Sequence, residues 1–376
     1  MDKRLLITST DLMMVQFLLP HVISLSQQGY IVDVACSEVG GRFTEVSDRL
    51  KGHAGNIFRL SLRRSPASLS NLRGYRELVR VIDRGHYDLI WTNEPVMGVV
   101  TRLAARKARK RGTLLLYMAH GFHFYRGAPL INWLVYYPVE RLMSRHTDVI
   151  CTVNTEDYAR AGRFHTGEVR YIHGIGIDTG RLTPGSESLD IRKELGLDKD
   201  SFIVLSVGEL NRNKNQSTVI RAIAQLDNPG IHYVLCGKGY NESRLKDLAT
   251  KLGVRSRVHF LGYRRDVVDI CSQSDVYAMP SFREGLPVSS LEAMYCGLPL
   301  VTSEIRGLTD VNKDGRNGFL CRPEDYRGFA GRISELYTDR TLRREMGDRN
   351  KEEVRPYTIE NTLQEVSDLI SGTLNG

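Results

Sequence analysis

Ten short, almost wholly apolar runs alternate with helical stretches along this chain, and they fall into two sets. The first is RLLIT (4–8), YIVDVACS (30–37), YDLIWTN (87–93), TLLLYMAH (113–120) and TDVICTVN (147–154). The second is FIVLSVGEL (202–210), HYVLCGKG (232–239), RVHFLGY (257–263), SDVYAMPS (274–281) and LPLVTSEI (298–305). A strand that is apolar on both faces must be covered on both faces, and parallel sheets flanked by helices meet that condition. The pattern predicts an α/β chain of two doubly wound domains, and 376 residues suit two cores of roughly 150–200 residues each. Gly, Pro and Ser gather in GIGIDTGRLTPGSES (174–188), which sets the border. The expected domains are therefore 1–180 and 181–357. An amphipathic terminal segment, 358–376, follows the break at Arg355-Pro356-Tyr357 and crosses back to complete the first. In the first domain the opening helical pattern runs from Val15 to Gln28.

Composition excludes several classes. With 41% hydrophobic and 26% charged residues this is ordinary globular protein. No apolar run approaches the ~20 residues of a membrane-spanning helix; Leu130–Val139 is interrupted by Asn132 and Pro138. MDKRLLITSTDLM enters a strand directly and does not read as a signal peptide. The six cysteines are scattered without a CxxC pair, which fits buried free thiols in a reducing cytoplasm. Charge is unevenly divided. Residues 1–180 hold 24 Lys and Arg against 16 Asp and Glu, and residues 181–376 hold 28 of each, so the whole net charge of +8 lies in the N-terminal half. RLAARKARKR (102–111) concentrates part of it. Such a patch suits an anionic surface, or is a solvated helix face.

In open parallel sheets ligands bind beyond the carboxyl ends of the strands. The polar residues there are Thr8-Ser9-Thr10-Asp11, Asn93-Glu94, His120-Gly121, Gly208-Glu209, Gly237-Lys238-Gly239 and Ser281 to Pro287. Two such sheets make the cleft between them the default site. In SFREGLPVSSLEA (281–293), Pro287 suits an early helical position, where its missing N–H is not needed. Gly285 permits close backbone approach, and the amides near Leu286, Val288 and Ser289 would point from a positive helix end toward a phosphate. Glu284 precedes that end, within reach of sugar hydroxyls. Glu292 lies about one and a half turns in, where a ribose would fit. On spacing alone, a plain helix entry with surface acids accounts for the same residues. Lys214, in the turn after 202–210, suits a phosphate clamp. The GKG turn lacks a full dinucleotide fingerprint. His120 and His123 in MAHGFHFY could donate to a hydroxyl or bind a metal, and two histidines without a third ligand make a poor metal site.

Glu284-x7-Glu292 within PSFREGLPVSSLEAMYCGLPLVTS resembles the paired-glutamate signature of family-4 retaining glycosyltransferases of the GT-B fold. GYRRDVVDICSQSDVYAMPS, EIRGLTDVNKDGRNGFL, AHGFHFYRGAP, SRHTDVICTVNTEDYARA and IHGIGIDTGRL extend the resemblance over most of the chain. The subgroup it is most similar to acts in bacterial exopolysaccharide, capsule and O-antigen assembly. The resemblance implies two Rossmann-like domains facing across a cleft. It implies that Glu284 contacts the transferred sugar, that Gly285, Leu286, Pro287, Val288 and Ser289 meet sugar and diphosphate, and that Glu292 holds the ribose. Lys214 would neutralise the diphosphate and His120 would touch the sugar near its reacting carbon. Gly208, Arg212, Tyr263 and Arg264 would complete the donor side, and Thr10, Asp11, Asn93 and His123 the acceptor side. Two departures stand out. Glu209 replaces the family's arginine after the first glycine of the second domain, with Arg212 as a substitute. Ser9-Thr10-Asp11-Leu12 replaces its glycine pair in the first loop.

The expected reaction is retaining transfer of a hexose or N-acetylhexosamine, UDP-linked by preference, to a hydroxyl. The helix end and Lys214 would stand in for a divalent ion, so no metal or cofactor is expected. The expected acceptor is a glycan or an undecaprenyl-pyrophosphate-linked sugar. It would be met in the cytoplasm, at an anionic inner-membrane surface contacted by Arg102 to Arg111 and Arg63-Arg64; no nucleic acid is expected. The alternatives are a nucleotide-sugar epimerase of the same fold, a starch- or sucrose-type synthase, which is usually longer, and a non-catalytic binding module.

Overall fold

The computed structural model describes residues 3–182 and 190–375; residues 183–188 of the expected border segment lie outside them. The chain divides into two compact units, Met1–Gly176 with Ile359–Gly376, and Ile177–Thr358.

The first unit is built on a seven-stranded parallel sheet in the order β3-β2-β1-β4-β5-β6-β7. The strands are β1 (Arg4–Thr10), β2 (Ile31–Ser37), β3 (Ile57–Leu60), β4 (Leu89–Asn93), β5 (Leu114–Ala119), β6 (Val149–Thr152) and β7 (Glu168–Tyr171). Central strands β1 and β4 are buried along nearly their whole length, as an apolar run covered on both sides must be. Helices Ser70–Gly85, Pro95–Ala104 and Leu130–Met143 pack over one face through Leu78, Ile82, Met97, Ala104, Trp133, Tyr136 and Tyr137. Pro138 lies inside the last of these helices. The helix Ile359–Asn375 belongs to this unit. It buries Thr362, Val366 and Ile370, hydrogen-bonds Ser367 to Gln28 at 2.5 Å, and takes the His173 amide on Glu365 at 2.9 Å.

The second unit carries a six-stranded parallel sheet, β10-β9-β8-β11-β12-β13. Its strands are β8 (Phe202–Val207), β9 (Ile231–Cys236), β10 (Val258–Gly262), β11 (Val276–Met279), β12 (Leu300–Ser303) and β13 (Gly318–Cys321). Alternate residues feed opposite faces. Val204, Tyr233 and Ala278 meet the helices Ser217–Leu226 and Tyr326–Thr338, whereas Ile203, Leu205 and Tyr277 meet the helix Val288–Tyr295. Because the strands are parallel, the turns after β8, β9, β11 and β12 gather at one edge.

Three expectations are corrected. The first helical stretch begins at Asp11 rather than Val15, capped by Thr10, and passes through a π turn at Met14–Leu18 before Leu19–Gln27. Pro287 is not inside its helix but is the N-cap residue, extended at φ −83° and ψ 90°. Arg102 is not a surface contact. It is fully buried, 2.8 Å from Glu140, stacked over Tyr117 at 4.1 Å and donating to the Gly98 carbonyl. A buried arginine persists only when paired in this way. Arg109 and Arg111 pair with Asp148 and Asp83, and Arg106, Lys107 and Lys110 are exposed. Among the described residues no helix is long and apolar enough to cross a membrane.

Candidate active site

The second unit brings three of the expected turns together. Gly208 follows the end of β8, with φ at 149°, and a Cβ there would meet the Lys214 side chain at 3.4 Å. The neighbouring turn presses closely: a Cβ on Gly237 would lie 1.9 Å from the Gly208 carbonyl oxygen, so only glycine fits. The turn after β8 is stapled to the one after β11. The Phe282 amide donates to the Asn213 carbonyl at 2.8 Å, and Asn213 Nδ2 donates to the Arg283 carbonyl at 2.9 Å. These staples bring Lys214 Nζ to 2.8 Å from Glu284 Oε1, with the side chains 22% and 11% exposed. Seventy residues apart in sequence, the two form one charged pair at the strand ends.

The helix Val288–Tyr295 opens beside that pair. Its N-cap, Pro287, supplies no side-chain cap, and the amides of Leu286, Val288 and Ser289 make no hydrogen bond among the described residues. Outward-pointing amides at a positive helix end are suited to an anion. The Ser289 hydroxyl accepts from Tyr277 at 2.8 Å, so its side chain belongs to the fold while its amide stays open. Glu292 comes just over one turn in, because the helix begins at Val288. Its carboxylate has no hydrogen-bond partner among the described residues, and burial pushes its pKa up to about 7. An unpartnered, largely buried carboxyl gains most from a ligand that brings hydroxyl donors.

Arg212 is exposed and lines a 470 Å³ cavity with Arg221 and Arg244. Glu209 is exposed and accepts from Asn211 at 3.0 Å. Tyr263 is 70% exposed. Arg264 is held by Glu194 and Asp266, whose carboxylates raise its pKa. Two residues that the sequence reading passed over complete the floor. Arg306, buried in the turn after β12, donates from Nε to the Glu284 carbonyl at 3.2 Å. Gly307, at φ 79°, lies so close that a Cβ would meet the Gly285 carbonyl oxygen at 2.2 Å. Both follow a strand end, and that position was the available signal.

In the first unit the expected residues are tied to one another. Thr10 caps its helix and gives both its amide and hydroxyl to the Glu94 carboxylate, at 2.6 and 3.0 Å. Asp11 is fully buried and accepts from the amides of Leu12, Gly40 and Arg42 at 2.8, 2.6 and 2.6 Å. Asn93 Nδ2 donates to the Thr8 carbonyl, which turns Oδ1 toward His120 Nε2 at 3.0 Å. Burial, with His21 nearby, lowers the His120 pKa to about 4, so the ring is neutral near pH 7. With Nε2 donating to Asn93, Nδ1 is left as an acceptor. Glu94 adopts φ 67° and ψ 151°, a region that almost only glycine enters, and such strain clusters at functional sites. A 190 Å³ cavity joins Thr10, Arg63, Arg64, Glu94, His123 and Tyr136, with His123 stacked on Tyr136 at 4.6 Å.

The chain is similar throughout to known glycosyltransferases. A model of glycosyl transferases group 1 matches residues 187–353, and one of a glycosyl transferase 4-like domain matches 22–173. EpsD of Bacillus subtilis (strain 168), named as a glycosyltransferase, is 38% identical over 100% of this chain and 98% of its own length. The UDP-Gal:alpha-D-GlcNAc-diphosphoundecaprenol alpha-1,3-galactosyltransferase of Escherichia coli is 25% identical over 92% of this chain and 90% of its own. In fold, Anabaena HepE, solved with UDP and glucose, superposes with a TM-score of 0.78 at 20% identity, covering 98% of this chain and 100% of that one. Paired Rossmann-like units, the Lys214–Glu284 pair at the strand ends and full-length similarity to EpsD lead to one assignment: this chain belongs to the family-4 glycosyltransferases of the GT-B fold.

Proposed function

We propose that this glycosyltransferase moves a hexose or N-acetylhexosamine from a UDP-sugar to a hydroxyl of a lipid-linked or glycan acceptor, with retention of anomeric configuration, in bacterial surface polysaccharide synthesis. The observation that carries the reading is the Lys214–Glu284 pair beside the open amides of 286, 288 and 289, with the unpartnered Glu292 one turn further on. The diphosphate lies on the amides and the Lys214 ammonium, which neutralise the leaving charge without a divalent ion. Glu292 accepts from the ribose hydroxyls, Glu284 orients the sugar hydroxyls, and Gly208, Arg212, Tyr263 and Arg264 border the donor. His120 offers Nδ1 to the reacting sugar. The bond from C1 to the diphosphate oxygen breaks, and the acceptor oxygen bonds C1 on the same face. The acceptor proton passes to the departing phosphate oxygen.

UDP and a diphosphoundecaprenol-linked acceptor are supported by the name of the Escherichia coli relative. The acceptor side is assigned to the cavity at Thr10, His123 and Tyr136, where Arg63 and Arg64 answer an acceptor's phosphate, and Asp11 and Asn93 hold the surrounding loops. The protein works in the cytoplasm at the inner membrane face, drawn there by the basic residues of 1–180.

The test is a melting-temperature screen against UDP-, GDP- and dTDP-sugars, followed by transfer assays with and without a chelator and assignment of the product anomer by NMR. A stabilising UDP-sugar, chelator-resistant transfer and a retained anomer are expected. An inverted anomer sinks the same-face mechanism. Release of free UDP with an altered sugar and no acceptor favours the epimerase instead.

A further inference from the structure

The helix Leu130–Met143 turns to solvent a face that its sequence does not equip for water. Its inner side is conventional: Trp133, Tyr136 and Tyr137 pack on the core, Met143 is buried, and Glu140 is buried against Arg102. Its outer side carries Leu130, Ile131, Leu134, Val135, Val139 and Leu142, between 40% and 72% exposed, with Pro138 among them. A helix packed on one side of a sheet ordinarily presents charged and polar residues on the other, and one that is apolar all round is normally covered on both sides. Single exposed leucines mean little, but a stripe running about 18 Å along one helix does. At 14 residues the helix is too short to cross a hydrocarbon core of about 30 Å, so any bilayer contact lies in the plane of the surface.

Cations stand near both parts of this helix. At its C-terminal end Arg141 is exposed, and the exposed Arg106 and Arg145 lie near His146, beside Arg109 in its pair with Asp148. Along its length, the cavity that includes Tyr136 is also lined by Arg63 and Arg64. That segment leads on to Leu69 and Leu72, which are 83% and 61% exposed. The only acid in the helix, Glu140, is turned inward. An apolar stripe with positive charge around it is complementary to a layer of apolar chains beneath negative phosphates. It is poorly matched to itself, since a second copy would bring like charges together.

We propose that the outer face of the Leu130–Met143 helix docks in the plane of an anionic bilayer, its apolar stripe entering the head-group boundary and the neighbouring arginines meeting lipid phosphates. This builds on the membrane-surface reading above by naming the element that enters the lipid. Charge alone gives weak, salt-sensitive adhesion, and stable peripheral binding takes a second, apolar signal.

The experiment is flotation of the whole protein with phosphatidylcholine vesicles and with mixed phosphatidylcholine–phosphatidylglycerol vesicles, for the unmodified chain and for Leu134→Glu with Val135→Glu. Both sites are exposed, so the double variant should keep its UDP-sugar melting shift and its transfer to a water-soluble acceptor. The unmodified protein is expected to float with the phosphatidylglycerol vesicles, and the double variant to bind them at least about tenfold more weakly. Brominated lipid should quench Trp133, on the docking helix, and spare Trp91, which is fully buried in the sheet. Vesicle binding by the double variant equal to that of the unmodified chain overturns the proposal and leaves electrostatic adhesion only. So does a protein that ignores vesicles but forms a dimer which the double variant disrupts, since the occupant is then a second copy. An absent UDP-sugar shift in the unmodified protein would count against the donor assignment and leave the vesicle result standing.

Discussion

The two units handle their polar residues in opposite ways. In Ile177–Thr358 the strand-end groups are left open toward a ligand: among the described residues three amides lack acceptors, the Glu292 carboxyl lacks donors, and the Lys214–Glu284 pair is still partly exposed. In the first unit the comparable groups are used up by the fold, with Asp11 holding three amides, Glu94 holding Thr10 twice, and Asn93 setting His120. What remains open there is a small cavity edged by arginines and aromatic rings. A pre-organised polar set suits a ligand part of fixed geometry, such as a nucleoside diphosphate. A cavity defined by shape and charge suits an acceptor that varies between relatives.

If that contrast is right, the largest effects on turnover come from the second unit. Lys214→Ala and Glu284→Ala should each lower kcat/KM by about 10²–10³-fold, because each removes charge placed at the reacting end of the donor. Both proteins should keep a near-normal melting temperature; full turnover by Glu284→Ala would falsify its role. Glu292→Gln should weaken UDP-sugar binding by roughly 10–100-fold in calorimetry with less change in kcat, the loss expected when a charged acceptor of two hydroxyls becomes neutral.

The same residue sharpens the contrast through pH. The free carboxyl titrates near 7, and donating hydroxyls favour its charged form. Donor affinity should therefore be full above pH 7 and fall as pH drops below it, a slope absent from Glu292→Gln. Without ligand the sign reverses. A carboxyl raised from 4.5 to about 7 contributes stability that is present below 4.5 and lost as pH rises through 7. At pH above 7, Glu292→Gln should melt higher than the unmodified protein, by an amount set by no more than about 3–4 kcal/mol.

The smallest effect on donor chemistry belongs to the first unit. Asp11→Ala should cost about 2–4 kcal/mol of stability, because three buried amides lose their acceptor, and should leave the UDP-sugar melting shift intact. A lost shift in Asp11→Ala would erase the division of labour.

Each of the ten apolar runs overlaps one observed strand, since burial on both faces leaves so plain a mark. The strands the sequence reading missed are β3, β7 and β13, and all three lie at sheet edges. IFRL and EVRY mix polar with apolar residues because an edge strand is covered less, and GFLC is only four residues long. At the site, Glu284, Lys214 and the amide turn were visible because glycine, proline and charge mark a strand end. The Lys214–Glu284 contact was not, because nothing local records the staples through Asn213. Arg306 was missed for a similar reason: its role is a hydrogen bond to a carbonyl, which carries no side-chain signature. The strain at Glu94 was equally hidden, as only the clasp with Thr10 reveals why a glutamate tolerates a glycine's conformation.

The Ile359–Asn375 helix, which belongs to the first unit, imposes an order on synthesis. While the ribosome is still making the 177–358 stretch, the surface that will receive Val366 and Ile370 is bare, and the earlier unit waits unfinished. The later unit has every residue it needs first. A chain cut after residue 358 should thus hold a folded second unit attached to a first unit that proteases can still attack.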